Sequence, residues 1–342
     1  MPDAPHTPNL SWGRDVKAVR VRVPATSANL GPGFDALGLA LTLHDEVEAR
    51  ITSAGLQVEV HGEGQETLAA AGEEHLVVRA MRAAFDTFAG RQPPGLALRC
   101  ENRIPHGRGL GSSAAAIVAG LKAAQALISD APDQDLLPLA TEIEGHPDNV
   151  AACLAGGLTI AWTTPGGPKL VRLDPLTTIT PVICVAPADI AVRTEIARKA
   201  LPQTVPHREA AANAGRAALL IAALTSPDAT GNLFDATEDW LHQDYRAAAM
   251  PDSYALVTEL RKTKIPAVVS GAGPSVLVLL GPDSGQHLDS LGSIVRETGK
   301  AWHISPLNVE RQGAQLLRPD AGGHRGTVTP SLRDTDGCEG MP

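Results

Sequence analysis

Short runs of apolar residues recur along the chain between longer runs in which apolar residues follow helical spacing. The segments VKAVRVRVPA, EVEARI and LQVEVHG alternate apolar and polar residues and predict strands at 16–25, 46–51 and 56–62. HLVVRAMRAAFDTFAG, at 75–90, has apolar residues about 3.6 positions apart and predicts a helix, whereas LALRC, at 96–100, alternates like a half-buried strand. Strands and helices in this irregular order indicate an α+β fold rather than a regular βαβ repeat.

The second half of the chain continues this mixture. TPVICVAPA and PAVVSGAGPSVLVLLG predict strands, and EAAANAGRAALLIAALTS predicts a long helix. TTPGGPKL is dense in Gly and Pro, as linkers are, so we predict an N-terminal domain over 16–167 and a C-terminal domain over 168–317. Residues 1–15 and 318–342 are polar and rich in Pro and Gly without periodicity, and we expect both to be disordered tails.

Composition and charge narrow the class of partner. The chain has 342 residues, of which 43% are hydrophobic, enough to bury the cores of two domains. Its formal net charge of −9, without a basic cluster, argues against nucleic acids and anionic membranes and favours a small molecule. The four cysteines form no CxxC pair, and no apolar segment has the length of a membrane span or the setting of a signal peptide, so we expect a reducing, cytoplasmic location. The oligomeric state stays open, with a homodimer as one option.

One glycine-rich segment predicts a phosphate site. In PHGRGLGSSAAA, at 105–116, three glycines on alternate positions follow a strand and precede a helix. Glycine permits positive φ and close approach of the backbone, and the free N–H groups of a helix N-terminus attract an anion such as phosphate. The competing interpretation is a tight turn with Ser112 as an ordinary helix cap. The predicted phosphate contacts are Pro105, Gly107, Arg108, Gly109, Leu110, Gly111, Ser112, Ser113, Ala114 and Ala115.

This segment matches neither of the two most familiar phosphate loops. A P-loop needs Lys directly before Ser or Thr, and a dinucleotide loop needs G-x-G-x-x-G, whereas this chain has Gly111 before Ser112 and the spacing G-x-G-x-G. PxGxGLGSSAA instead resembles the phosphate-binding motif of the GHMP kinase superfamily. VPATSANLGPGFDALGLAL, at 23–41, resembles the N-terminal motif of the homoserine kinases within it, and SGAGPSVLVL, at 270–279, resembles the C-terminal glycine motif. With EGHPDN, the resemblance covers roughly residues 16–317 in the expected order.

The resemblance implies a two-domain α+β fold. Its N-terminal, ATP-binding domain would be like domain 2 of ribosomal protein S5, and its C-terminal domain a ferredoxin-like α/β-plait. It also implies ATP as phosphoryl donor, Mg²⁺ as metal, and phosphorylation of the L-homoserine hydroxyl to O-phospho-L-homoserine in threonine biosynthesis. Alternatives are a superfamily kinase acting on mevalonate or a sugar, and a catalytically silent nucleotide-binding regulator. The C-terminal glycine motif comprises Gly271, Ala272, Gly273, Pro274 and Ser275.

The segment EIEGHPDNV, at 142–150, concentrates polar groups at the end of a predicted helix. By resemblance, one of its glutamates is a Mg²⁺ ligand together with the hydroxyl of Ser113, with Ser112 as the second choice. We favour Glu144, because it directly precedes the glycine of the turn, whereas Glu142 is displaced by about 200° around the helix. Relatives with a longer loop after the glutamate keep Glu142 open.

The turn that follows adds three polar residues. The resemblance implies that Asn149 orients the acceptor hydroxyl and that His146 contacts the substrate. Asp148 is the alternative to Asn149, because the two are adjacent and only one can face the acceptor; no dedicated carboxylate base is expected. The competing interpretation is a solvated helix end capped by Asp148 and His146. For the adenine pocket, His75 is one possible nucleotide contact.

Homoserine is a zwitterion, so its site should supply cations for the carboxylate and an anion for the ammonium. RTEIARKALP resembles a homoserine kinase pattern, with Thr194 at a helix start and Arg198 one turn later on the same face. YRAAAMP places Arg246 five residues before Pro251, again as in that family. The resemblance implies that the two arginines bind the carboxylate while Asp35 and Asn29 meet the ammonium and hydroxyl end. The predicted substrate contacts are Asn29, Asp35, His146, Asn149, Thr194, Arg198 and Arg246.

Overall fold

The computed structural model describes residues 18–128, 135–187, 194–282 and 285–317. The predicted tails at 1–15 and 318–342 lie outside the described residues. The strands of the described part form one seven-stranded and one four-stranded sheet. These strands are β1 (Val19–Ala28), β2 (Leu37–Thr52), β3 (Gly55–Gly62), β4 (Gly95–Asn102), β5 (Leu158–Thr164), β6 (Gly167–Leu173), β7 (Thr180–Val185), β8 (Ala267–Val269), β9 (Val276–Leu280), β10 (His303–Pro306) and β11 (Gln315–Leu317).

Helices separate the strands along the chain. The predicted helix at 75–90 is confirmed as α2, which runs on into a wider turn over Phe85–Ala89. The α-helices are α1 (Gln65–Leu68), α2 (Leu76–Ala84), α3 (Ser112–Leu127), α4 (Leu137–Glu144), α5 (Pro147–Ala155), α6 (Thr194–Lys199), α7 (His207–Thr225), α8 (Leu233–Ala236), α9 (Gln243–Arg246), α10 (Pro251–Lys262) and α11 (Gly285–Glu297). No helix in the described ranges is both long enough and apolar enough to cross a membrane.

The seven-stranded sheet has the order β11-β1-β2-β4-β3, with β5 paired to β2 and β6 to β5. All of its pairs are antiparallel except β3 with β4. Helix α3 is apolar on nearly all sides and is therefore buried, packing on β1 and α2. Its small residues permit close packing: a Cβ on Gly120 would lie 2.5 Å from the carbonyl oxygen of Val77. This packing fixes the N-terminus of α3 at the mouth of a cleft.

The four-stranded sheet is antiparallel, with the order β10-β7-β9-β8. Helices α6 to α10 lie in the chain between β7 and β8, and α11 lies between β9 and β10, which gives the βαββαβ succession of a ferredoxin-like plait. One face of this sheet has a core of its own, built from residues such as Val182, Leu256 and Leu291, whereas the other face joins the main core through residues such as Ile183 and Leu277. The α+β fold class expected from the sequence is confirmed.

The predicted domain boundary at 167/168 falls at the start of β6, which pairs along its whole length with β5 in the seven-stranded sheet. The last described strand, β11, also joins that sheet by pairing with β1. The seven-stranded sheet therefore takes strands from both sides of the boundary. The division into two folding units at this position stays a prediction.

Candidate active site

A cleft of about 360 Å³ brings residues of every predicted motif together. It is bounded by the loop after β1, the glycine loop before α3, the turn between α4 and α5, helices α6 and α9, and the loop between β8 and β9. The lining residues are Ala28, Asn29, Asp35, Gly107, Gly109, Gly111, Ser112, Ser113, Glu144, His146, Asp148, Asn149, Arg198, Arg246, Gly271, Ala272 and Gly273. Motifs that are more than two hundred residues apart in the chain thus share one solvent-accessible site.

The glycine loop folds as its sequence predicts. Gly107, Gly109 and Gly111 all have positive φ, of 64°, 72° and 68°. A Cβ on Gly109 would lie 2.2 Å from the carbonyl oxygen of Ser270, and one on Gly111 would lie 1.9 Å from Oγ1 of Thr26. A side chain at either glycine would therefore collide with neighbouring atoms as well as strain the backbone.

The interpretation of Ser112 as an ordinary helix cap is wrong. The N-cap position of α3 is Gly111, and no side chain caps the helix, so Ser112 is already its first residue. The N–H groups of the first turn are directed out of the helix end by the geometry of any helix. The loop and this uncapped terminus together form a cradle of backbone donors with a favourable dipole. Pro105, Leu110, Ala114 and Ala115 are buried behind the cleft surface rather than on it.

The C-terminal glycine motif holds the glycine loop from the opposite side. Ser270 donates a hydrogen bond from Oγ to the carbonyl oxygen of Gly109, at 2.6 Å, and its Oγ is 2.8 Å from Oγ of Ser27. The N–H of Gly271 donates to the carbonyl oxygen of Ala28, at 3.1 Å. Pro274 and Ser275 do not line the cleft, and the hydroxyl of Ser275 accepts a bond from the N–H of Ala186.

Glu144 rather than Glu142 lies in the cleft. Helix α4 ends at Glu144, and its carboxylate Oε1 accepts a 2.6 Å hydrogen bond from Oγ of Ser113 at the start of α3. Burial raises the pKa of Glu144 above its ordinary value, although the bond from Ser113 opposes this. Glu142 is exposed and does not line the cleft.

The turn between α4 and α5 arranges the next three polar residues. His146 Nδ1 lies 2.6 Å from Oδ1 of Asp148, which also accepts the backbone N–H of Asn149 at 2.8 Å. Burial lowers the pKa of His146, but the bond to Asp148 and the charges of Asp148 and Glu144 outweigh it, so the pKa is raised. Oδ1 of Asn149 accepts a 2.7 Å bond from Thr26, which leaves its amide NH₂ as the donor group.

At the acceptor end, Asp35 and Arg198 form a two-point ion pair. Nη1 and Nη2 of Arg198 donate to Oδ2 and Oδ1 of Asp35, at 3.0 and 2.8 Å. This bond raises the pKa of Arg198. Asp35 stands in a left-handed conformation with φ of 54°. Thr194 begins α6, as the sequence predicts, but its side chain lies outside the described residues.

Both ends of the Asn29 amide are bonded to the protein. Its Nδ2 donates to the carbonyl oxygen of Gly271, at 2.9 Å, and its Oδ1 accepts the backbone N–H of Asp35, at 3.0 Å. It adopts a φ of 69°, which Asn tolerates better than most residues. Asn29 therefore positions Asp35 while lining the cleft.

A second, more apolar cavity of about 190 Å³ adjoins the first, and both are lined by Ser112 and Ser113. His75 lines it, and neither of its buried ring nitrogens has a hydrogen-bond partner. Sequence reasoning missed Asp45 and His106, which also line this cavity. His106 stands inside the glycine-rich segment, which was the signal that could have identified it. Asp45 lies within a strand and carries no such signal.

The comparisons with known proteins agree with this geometry. The family model for the GHMP kinases N-terminal domain matches residues 75–157. The homoserine kinase of Streptomyces coelicolor is 54% identical over 304 residues, covering 88% of this chain and 94% of that protein. The crystal structure of homoserine kinase from Cytophaga hutchinsonii aligns with a TM-score of 0.77 at 26% identity, over 90% of this chain and 100% of that one. Mevalonate kinase of L. major, in complex with R-mevalonate, shares the fold alone, with a TM-score of 0.60 at 16% identity over 85% of this chain and 95% of that one.

Proposed function

The chain belongs to the homoserine kinase family of GHMP kinases, and we propose how its cleft carries out the reaction of that family. It is an ATP-dependent small-molecule kinase that transfers the γ-phosphoryl group of ATP to the hydroxyl of L-homoserine, giving O-phospho-L-homoserine for threonine biosynthesis. The observation that carries the assignment of roles is the meeting, in one cleft, of an uncapped helix N-terminus with two arginines and a carboxylate.

The glycine loop and the N-terminus of α3 bind the triphosphate in this proposal. The donors are the N–H groups of the loop and of the first turn of α3, from Gly107 to Ala114, with Ser112 adding a hydroxyl; the N–H of Ala115 is already bonded to the carbonyl oxygen of Gly111. Phosphoryl transfer proceeds with charge spread over the phosphate oxygens, so fixed donors that need no rearrangement stabilise it most effectively. Arg108 lies on the same loop and contributes positive charge at its exposed edge.

Ser113 and Glu144 are the proposed Mg²⁺ ligands. A hydroxyl and a carboxylate in direct contact, beside the phosphate loop, offer the oxygen donors that this hard cation prefers. Mg²⁺ keeps several waters and phosphate oxygens as ligands, so two protein ligands are sufficient. When bound, the ion neutralises charge on the phosphate oxygens. The raised pKa of Glu144 indicates that this carboxylate is costly to bury unless a cation is next to it.

The acceptor end recognises the zwitterion. Arg246 and Arg198 bind the homoserine carboxylate, and Asp35, held by Asn29, binds the ammonium group. The NH₂ group of Asn149 orients the reacting hydroxyl, because the amide oxygen is already taken by Thr26. His146, Asp148 and the start of α6 at Thr194 complete the surroundings of the substrate.

Catalysis in this proposal rests on positioning and electrostatics. Oδ1 of Asp148 is bonded to His146 and to the N–H of Asn149, which gives Asp148 a role in holding the turn, and we assign no carboxylate as general base. Holding the hydroxyl and the γ-phosphate at reacting distance removes much of the entropic barrier. The fixed donors then stabilise the transferring group.

The second cavity is the proposed adenine pocket. Its position next to Ser112 and Ser113 suits a base attached to a triphosphate in the loop. Leu68, Leu76 and Val47 supply apolar contacts for a planar ring. His75 has two buried ring nitrogens without partners, and a base edge would satisfy them.

A coupled assay of ADP release tests the proposal. We expect turnover with L-homoserine to exceed that with threonine, mevalonate and galactose at equal concentration. Preferred turnover of mevalonate or galactose would contradict the acceptor assignment. Tight MgATP binding without turnover of any acceptor would indicate a silent regulator instead.

A further inference from the structure

His242 is a buried histidine beneath Arg246, at the acceptor end of the cleft. It is about 1% exposed and directly precedes α9. Its Nε2 lies 2.8 Å from the carbonyl oxygen of Gly31, and its Nδ1 lies 3.3 Å from Nη1 of Arg246. Its ring stacks on Phe34, with ring centroids 4.9 Å apart. His242 therefore contacts both the loop that carries Asp35 and the arginine across from it.

The two polar contacts determine which nitrogen carries the proton. A carbonyl oxygen only accepts hydrogen bonds, so Nε2 must be the donor to Gly31. A guanidinium only donates, so Nδ1 must offer its lone pair to Arg246. Both contacts require the neutral ring with its proton on Nε2.

The remaining contacts of Arg246 show which of its donors are held by the protein and which are left for a ligand. Arg246 is 3% exposed, its Nε donates to the carbonyl oxygen of Ala197 at 3.2 Å, and its Cζ lies 5.0 Å from the centre of the Phe34 ring. Within the described residues, no acceptor of the protein is bonded to Nη2, and Arg246 lines the cleft. Ala197 and His242 thus hold two donors of the fork and leave the others for a ligand.

We propose that His242 is the positioning residue for homoserine binding: its Nδ1 lone pair holds Nη1 of Arg246 so that the free edge of the guanidinium meets the substrate carboxylate. This inference rests on the proposed function, because it takes that carboxylate as the ligand of Arg246. A protonated ring would lose the bond to Nη1 and place two cations in contact. The arrangement therefore works only while His242 is neutral.

The surroundings of the ring keep it neutral. Burial lowers the pKa of His242, and the charge of Arg246 acts in the same direction. Asp239, whose Oδ1 is 3.6 Å from Nε2, and Asp35 in the neighbouring loop oppose them, as does the carbonyl of Gly31. The net effect is a lowered pKa.

Two substitutions separate the two contacts of the ring. In His242→Asn the amide oxygen can occupy the position of Nδ1 and still accept from Arg246, whereas in His242→Gln the amide NH₂ can occupy that of Nε2 and still donate to Gly31. We expect His242→Gln to raise the homoserine KM at least about tenfold, and His242→Asn to raise it by less than about threefold. The KM for ATP should stay unchanged in both.

The same kinetic assay includes a control substitution at a histidine outside the cleft. His44→Gln alters another buried histidine, bonded to Glu310 away from the cleft, and should lower Tm without changing the homoserine KM. An equal rise of KM in the Asn and Gln variants of His242, or an effect of His242→Gln that persists in full with Arg246→Ala, would overturn the inference. If the wild-type enzyme does not phosphorylate homoserine, the proposed function fails before the variants are compared.

If the Gln variant does not fold, the protonation of His242 can be measured in the wild-type protein instead. Long-range ¹H–¹⁵N NMR of the histidine rings distinguishes the two neutral tautomers from the charged ring. We expect His242 at pH 7 to carry its proton on Nε2 alone. A charged ring, or a proton on Nδ1, would overturn the inference.

Discussion

Replacement of Arg246 by alanine should weaken the use of homoserine and spare ATP. The substitution removes the donors that face the cleft and leaves the carboxylate with Arg198, which is already paired with Asp35. A hydrogen bond to a charged group contributes about 1.5 to 3 kcal/mol, and truncating one partner of a buried charged pair costs about 2 to 5 kcal/mol. We therefore expect a loss of about 2 to 4 kcal/mol in kcat/KM for homoserine, or about 30- to 900-fold.

The assay is ADP release with homoserine varied at saturating MgATP, and then with MgATP varied at saturating homoserine. Arg261→Ala is the matched control, because Arg261 is half-buried, stacks on Phe234 and bonds to Thr237, yet lies outside the cleft. It should lower Tm and leave the homoserine KM unchanged. A folded Arg246→Ala enzyme with unchanged kcat and KM for homoserine would remove Arg246 from the substrate site.

Three further predictions concern the loop, the metal and a buried acid. Gly111→Ala should raise the KM for MgATP and lower Tm much more than Gly107→Ala. Both glycines have positive φ, but only at Gly111 would a Cβ collide, 1.9 Å from Thr26 Oγ1. Equal effects of the two substitutions would refute the contact argument. Glu144→Ala should cost far more activity at saturating Mg²⁺ than Glu142→Ala, since only Glu144 contacts Ser113, and the reverse order would reassign the ligand. Burial raises the pKa of Asp45 from 3.8 to about 7, so between these two pH values the native state binds a proton that the unfolded chain does not. The free energy of unfolding should therefore fall as pH rises from 3.8 to about 7. Asp45→Asn can still accept from the N–H groups of Arg103 and Ile104, so it should abolish this fall. In urea unfolding at pH 8, its free energy of unfolding should exceed that of the wild type by up to about 4 kcal/mol, and an unchanged pH dependence would contradict the argument.

The sequence predicted the motifs well because each is a local structure with its own residue requirements. The glycine loop needs positive φ at alternate positions, and the turn after Glu144 needs a glycine at 145, where φ is 91°. Such requirements are visible without knowledge of the fold. The order of motifs along the chain then indicated the family.

Contacts between distant segments could not be predicted in the same way. The bond from Thr26 to Asn149 joins residues 123 positions apart, and that from Ser270 to Gly109 joins residues 161 positions apart. Neither pair has a spacing or composition that marks it. Asn29 shows the consequence: the family motif implies a substrate contact, which stays a prediction, but only the structure reveals that its amide also binds Gly271 and Asp35.

The return of the chain to its first sheet limits how the cleft can open. Everything from β7 to β10 lies between β6 and β11, two strands of the same seven-stranded sheet. The four-stranded sheet is therefore attached by two connections, and the second is fixed further by the pairing of Val309 with Leu41. Two connections leave rotation about the line that joins them, and the packing of Leu277 and Val268 in the main core opposes even that, so closure over the substrates should occur by small movements. Such movements would preserve the alignment of phosphate loop and arginines throughout the catalytic cycle.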